Sequence, residues 1–450
     1  MKHVISKAVA LMLCCFMIIG FAACDPKAAP TKPDHPVETA DPGELGTANP
    51  TDPAPAQIQE PTQEPTQEPE KQSEGFSMNV VNYLIENGYA SKSFIMSPTS
   101  FRAALCLAIA GAKGDTQSQL LKAAGFDSIE EANTWYTGVL DRIAYFNEQN
   151  ERDVESYESF GEKAPERAFQ IANAVWNNSS VSCEFKESYL EYVKEHYDAE
   201  AHSSPKDTIT ADVNKWCEEK TNGMIKNAAS DLSESASALI NALYVKNSWY
   251  ESFFEGATEK DIFRCVGGVE KEMDFMNQTN HYSYYADAET QIVAIPMFGD
   301  MDFICVIGRT EGISEKLKAL DNAKVHIKIP KLDITSRFEN SELVKYLSNA
   351  GVDLALDGAR ADFSEMSAGG SEEPWYIDDI MQVAKIKTDE NGLEAAAVTI
   401  ISVKAAGMPI EEEPIEEFIA NVPFSFMITS GNYKTDDCEI LFYGQMTGIE

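Results

Sequence analysis

The side chains able to do chemistry are scattered rather than grouped. Beyond residue 75 the chain has four histidines, His196, His202, His281 and His326, none spaced to pair with a nucleophile or a metal ligand. Gly-x-Ser-x-Gly, His-Glu-x-x-His, a phosphate-binding glycine loop and Cys-x-x-Cys are all missing. With 73 Asp and Glu, no pair of carboxylates is informative by itself. The expectation is therefore a protein that is not an enzyme and uses no metal or cofactor, its histidines serving at the surface or in packing. One segment has a pattern of another kind. From Leu393 to Lys404 it alternates: Leu393, Ala395, Ala397, Thr399, Ile401 and Val403 share one face, and Glu394, Ala396, Val398, Ile400, Ser402 and Lys404 the other. The first face is apolar but for a threonine, and the second is charged only near its ends. Such a segment can enter a sheet without desolvating a charge in its middle. An ordinary amphipathic strand, or a helix through the three adjacent alanines, is the competing reading.

The elements that must position this segment lie between two acidic stretches. The formal net charge is −37, which argues against nucleic acid and against direct docking on anionic lipid headgroups. Lys2 and Lys7 precede an apolar run from Ala8 to Ala23, too short for a spanning helix and shaped like an export leader. Phe21-Ala22-Ala23-Cys24 resembles a bacterial lipobox, with Phe21 in place of the usual leucine. Residues 1–23 are expected to be a lipoprotein signal peptide and Cys24 the lipidated residue, the alternative being a plain secretory leader with an incidental cysteine. Residues 24–74 are rich in Pro, Thr and Glu, with the near-repeat Glu60-Pro61-Thr62-Gln63 and Glu64-Pro65-Thr66-Gln67. They read as an extended spacer with no core of its own.

Residues 75–450 read as one α+β domain. Phe76, Val80, Tyr83 and Leu84 have helical spacing up to Gly88, and a small-residue helix is expected from about Thr99 to Ala110. Thr116 and Gln119 form a potential capping box. Val325 to Ile329 is a strand closed by Pro330, and Ser341 to Gly351 a helix with Leu343, Tyr346 and Leu347 inward. Helices come mainly first and strands later. Of the cysteines after Cys24, Cys106 and Cys305 lie in strongly apolar segments, so no obligatory disulfide is expected.

Motifs along the whole domain carry a resemblance. Ser97-Pro98-Thr99-Ser100, Gly111-Ala112-Lys113-Gly114-Asp115-Thr116, Ala172-Asn173-Ala174-Val175-Trp176, and Asn241-Ala242-Leu243-Tyr244-Val245-Lys246 with Trp249 and Phe253-Phe254 resemble the serpin family. So do Ala361-Asp362-Phe363-Ser364, Ile327 and Ile329 before Pro330-Lys331, Pro423-Phe424-Ser425-Phe426 and Ile440-Leu441-Phe442-Tyr443-Gly444. The resemblance implies a large central β-sheet, flanking helices and an exposed reactive loop at about 390–418. It implies an inhibitor of serine proteases, or alternatively of cysteine proteases, that works as a suicide substrate: the loop is cut and inserts as an extra strand while the acyl-enzyme persists. Gly392, Leu393, Glu394, Ala395, Ala396, Ala397 and Val398 would be the hinge, and Ser97, Ser100, Asn241, Trp249 and Gln382 the region that governs sheet opening. Family spacing puts the scissile bond at Ala406-Gly407, which suits elastase-like or subtilisin-like proteases. Lys404 or Met408 would instead predict trypsin-like or chymotrypsin-like targets. Three departures stand out: Leu393 where the family has threonine or serine, Gln382 where it commonly has histidine, and an end without Asn-Pro. The first two motivate an alternative, a non-inhibitory binding or structural protein whose loop is merely cleaved. The chain as a whole is expected to be a monomer at the cell surface, facing outward and held to the membrane by its lipid alone. Glu411-Glu412-Glu413 and Glu416-Glu417 would keep the loop soluble or steer proteases with basic rims.

Overall fold

The computed structural model describes residues 13–23, 75–180, 184–339, 341–368, 375–393, 413–435 and 437–449. The lipidation candidate Cys24, the spacer, Glu394, Ala395, Ala396, Ala397 and Val398 of the hinge, and the bond Ala406-Gly407 lie outside the described residues.

The apolar run expected to be a leader supplies strand β1 (Leu13–Ala23). Helix α1 (Gly75–Leu84) buries Phe76, Val80 and Leu84 as their spacing predicts, and the chain turns at Gly88, whose φ is 113°. After β2 (Phe94–Met96), Ser97 caps α2 (Pro98–Gly111), with Pro98 in the first turn where no backbone N–H is needed. Then come α3 (Gly114–Ala123), α4 (Ile129–Ser159), β3 (Ala168–Asn178), α5 (Glu187–Tyr197), β4 (Glu200–Ser204), α6 (Ile209–Lys220) and β5 (Ser237–Ser248). The second half is mainly strands: β6 (Glu259–Arg264), β7 (Glu270–Ala286), β8 (Thr290–Met297), β9 (Met301–Gly308), the short α7 (Ile313–Lys318), β10 (Asp321–Pro330) and β11 (Asp333–Phe338). Helix α8 (Glu342–Asn349), β12 (Trp375–Lys387), β13 (Gly392–Leu393), β14 (Glu416–Ile419), β15 (Phe424–Gly431) and β16 (Cys438–Met446) complete it.

The expected α+β arrangement holds, as do the strand ending at Pro330 and the helix that buries Leu343, Tyr346 and Leu347. The capping box does not form. Helix α3 starts at Gly114, upstream of Thr116, and both side chains have distant partners. The Asp362 N–H donates to Thr116 Oγ1 at 3.1 Å, and the Asp353 and Leu354 N–H groups donate to Gln119 Oε1 at 3.0 Å.

Two sheets form. The first has the order β11-β12-β1-β5-β3-β4, with β13 paired to the end of β5. The second has the order β14-β10-β7-β8-β9-β15-β16-β2, with β6 on β7. The largest apolar cluster joins α1, α2 and α8 to one face of the first sheet and includes Met17 and Ile19 of β1. A second fills the space between the sheets, and a third packs α6 on the opposite face of β3 and β5.

Candidate functional site

Strand β1 is antiparallel to both of its neighbours, so β5 and β12 run in the same direction. Leu13–Phe21 pair with Val245–Ser237 of β5, and Cys14–Ala23 with Lys385–Trp375 of β12. β1 thus fills a slot between two long strands. Strand β13 enters the same slot at its mouth, antiparallel to β5, with Gly392 opposite Ser248 and Leu393 opposite Asn247. Only Lys246 separates the β5 residues held by β13 from those held by β1.

A polar cluster lies under the middle of the slot. Met17 stands opposite both Asn241 and Gln382, and all three are fully buried. On one side Gln382 satisfies the start of α2: the Ser97 N–H donates to its Oε1 at 3.3 Å, and its Nε2 donates to the Ser97 carbonyl at 3.0 Å. Ser97 Oγ accepts from the Ser100 N–H at 3.1 Å and donates to the Leu441 carbonyl at 2.6 Å. Glutamine performs both roles because its amide donates and accepts. On the other side Asn241 Nδ2 donates to Asn173 Oδ1 at 2.8 Å, and Asn173 Nδ2 donates to Tyr136 Oη and the Tyr197 carbonyl at 2.6 and 2.8 Å. Two buried oxygens, Asn241 Oδ1 and Ser100 Oγ, have no hydrogen-bond partner among the described residues. An orphan of this kind costs about 1–3 kcal/mol.

At the mouth, the side chains of Asp389, Trp249 and Glu390 are all hydrogen-bonded. Asp389 forms a tight turn, its Oδ1 accepting from the Asn391 N–H at 2.7 Å. Trp249, nearly buried, donates from Nε1 to the Asp389 carbonyl at 2.8 Å and stands edge-on to Phe253 and Phe303. Glu390 binds Lys331 at 2.7 Å and Thr258 at 2.6 Å. Burial pushes its carboxyl up, but Lys331 and Thr258 outweigh this and hold it below the usual carboxylate range. Gly392 has φ 152°, and a Cβ there would collide with the Asn247 carbonyl. Leu393 is fully buried in the cluster between the sheets, so its bulk already has a place.

A long sheet whose two parallel strands take an antiparallel strand between them, with a loop entering at the mouth, agrees with what the sequence matches. The family model for serpins (serine protease inhibitor) covers residues 71–448. The chain belongs to the serpin family. It is 31% identical to Serpin-Z2B of Triticum aestivum over 366 residues, 74% of this chain and 86% of that protein. It is 27% identical to the leukocyte elastase inhibitor of Sus scrofa, covering 83% of this chain and 97% of that one. A serpin-like protein of Thermococcus kodakarensis is 29% identical over 379 residues, 79% of this chain and 80% of that one. Among solved structures, the thermophilic serpin tengpin in its native state superposes with a TM-score of 0.67 at 22% identity, over 83% of this chain and 92% of that one.

Within this serpin the residues expected to govern opening fall into two groups. Ser97, Ser100, Asn241 and Gln382 are gathered under the slot, whereas Trp249 stands at the mouth beside Gly392 and Leu393. Sequence reasoning did not single out Tyr136, and it met Asn173 and Lys246 only within motifs. Asn173 faces Asn241 across the β3–β5 pair, a contact between strands about 70 residues apart that no local pattern signals. The five-glutamate cluster is also divided. Glu416 and Glu417 are not loop residues but lie in β14, parallel to β10, and Glu413 meets His281 at 3.0 Å. His202 stacks on Trp176 at 4.2 Å, and His196 lies against Tyr192 at 4.3 Å. The described cysteines 106, 217, 265, 305 and 438 are free, and burial pushes the Cys106 thiol up to about 12, unlike a nucleophile.

Proposed function

We propose that this serpin inhibits serine proteases of the elastase-like or subtilisin-like kind as a suicide substrate and is not itself an enzyme. The observation that carries the reading is the register of β13. Continued residue by residue along β5, it brings Thr399 opposite Asn241 and Gln382, with Ala395, Ala397, Ile401 and Val403 on the same core-facing side as buried Leu393. The threonine hydroxyl, the one polar group on that face, arrives where Asn241 Oδ1 lacks a donor. At the mouth the same register sets Glu394 between Lys246 and Lys387, a complementary position for the one acid that leads the strand.

The chemistry belongs to the protease. Its serine adds to the Ala406 carbonyl, the Ala406–Gly407 amide breaks, the amine of Gly407 leaves, and the Ala406 acyl group stays on the serine. Entry of residues 394 onward between β5 and β12 then carries the acylated protease away from the loop's starting position before water can complete hydrolysis. Export, a lipid on Cys24 and an extended spacer over 24–74 would place a monomeric inhibitor outside the cell membrane.

The test is to incubate the protein without residues 1–23 with subtilisin and with pancreatic elastase and run denaturing gels. An SDS-stable covalent complex with a released peptide starting at Gly407 is expected. Quantitative loop cleavage with the protease left fully active would overturn inhibition in favour of a substrate-like binding protein.

A further inference from the structure

The slot that the inhibitory reading reserves for the loop is occupied by the chain's own N-terminal segment. The placement is specific: Leu13–Phe21 are in register with β5 and Cys14–Ala23 with β12, with one irregularity at Gly20/Phe21. Met17 and Ile19 have no solvent exposure and belong to the main core. Compared with the continued register of β13, Leu13, Cys15, Met17, Ile19 and Phe21 stand at the levels that Ala395, Ala397, Thr399, Ile401 and Val403 would take. Both segments run the same way along β5, so they exclude each other from Lys246 inward.

The fit is incomplete at the polar cluster. Met17 lies at the level of the polar cluster and offers no donor, which leaves Asn241 Oδ1 and Ser100 Oγ unpartnered. The N-terminal strand is thus held by backbone pairing and apolar burial, not by matched side-chain chemistry. This same stretch has the composition of a leader that processing removes.

We propose that Leu13–Ala23 is an intramolecular occupant of the slot: it holds the unprocessed chain unable to trap a protease, and loss of the leader arms the inhibitor. The inference rests on the reading that the cleaved loop enters between β5 and β12. A protein whose competent, open-slot form is about 1% of the population reacts about a hundredfold more slowly than one always open.

The experiment compares three chains: unaltered, Met17→Glu with Ile19→Glu, and one with residues 13–23 deleted. The double substitution puts two carboxylates into the core face of the slot; the deletion removes the strand without burying a charge. Backbone hydrogen exchange of the unaltered chain is expected to find residues 13–21 protected. With subtilisin, both variants should form the SDS-stable complex about a hundredfold faster than the unaltered chain. After loop cleavage, only the variants should gain thermal stability. Equal rates for the unaltered and deleted chains, or unprotected amides over 13–21, would overturn the proposal. Protected amides together with clean loop cleavage and no complex in any of the three would instead sink the inhibitory reading, and the arming role with it.

Discussion

The mouth and the middle of the slot are built from the same two strands yet hold their occupants differently. At the mouth the groups that hold β13 have partners: Trp249 with the Asp389 carbonyl, Glu390 with Lys331 and Thr258, Asp389 with the Asn391 N–H. In the middle β1 is well paired along its backbone and buries Met17 and Ile19, but two buried oxygens are stranded beside it. The mouth recognises one particular sequence. The middle holds an apolar strand and leaves part of its own side-chain chemistry unused. A slot of this design can be filled provisionally by one segment and definitively by another.

The largest way to break this contrast is Gly392→Val. A β-branched side chain at φ 152°, with the Asn247 carbonyl in its path, should prevent β13 from pairing. In the chain without residues 13–23, complex formation with subtilisin should fall by about two orders of magnitude, equivalent to roughly 3 kcal/mol in the barrier; titration of residual protease activity measures it. Next is Gln382→Leu, which strips the Ser97 N–H of its partner in a fully buried site. A loss of about 1–3 kcal/mol in a guanidinium melt is expected. A preserved midpoint would mean that this half of the cluster is no better satisfied than the other.

Thr399→Val sharpens the contrast from the opposite side. Once the loop is cut and inserted, valine should cost about 1 kcal/mol by leaving Asn241 Oδ1 orphaned, while the uncut protein is unchanged. Guanidinium melts of cut and uncut protein separate the two states. The smallest effect is that of pH on the mouth. Because Glu390 is held below its usual range, its contribution is complete above the unfolded value of about 4.3 and fades as pH falls through its lower folded value. The protection of the Gly392 and Leu393 amides, measured against their intrinsic exchange rate at each pH, should therefore fall on acidification below about pH 4. Asp389, pushed up by burial, contributes with the opposite sign, so Glu390→Gln is needed to isolate the effect. That variant should lose the acid-dependent step.

Much of the scaffold was legible because its signals are local. The alternation ending at Pro330, the helix that buries Leu343, Tyr346 and Leu347, and Ser97 before Pro98 each follow from neighbours in the chain. The candidate site was legible mainly through family motifs, since its contacts join residues far apart. Gln382 reaches Ser97 across 285 positions, and Asn241 reaches Asn173 across 68. Thr116 and Gln119 show the opposite failure: a correct local pattern whose side chains went to remote partners. Residues 13–23 were ambiguous for a physical reason. A continuous apolar run suits both a leader and a strand covered on both faces, and periodicity does not distinguish them. Leu393, read as a departure from the family's threonine or serine, is buried beside Asn247 before any cut, so its volume is accommodated from the start.

The position of Lys246 also orders events in time. It marks where one occupant of β5 gives way to the other, and a ribosome makes the three participants in a definite sequence. Leu13–Ala23 emerges first, β5 follows more than 200 residues later, and residue 394 trails Lys246 by about 150 residues more. At synthesis rates of about 5–20 residues per second, β5 exists for roughly 7–30 seconds before the loop does. During that interval the N-terminal strand has no competitor from within its own chain.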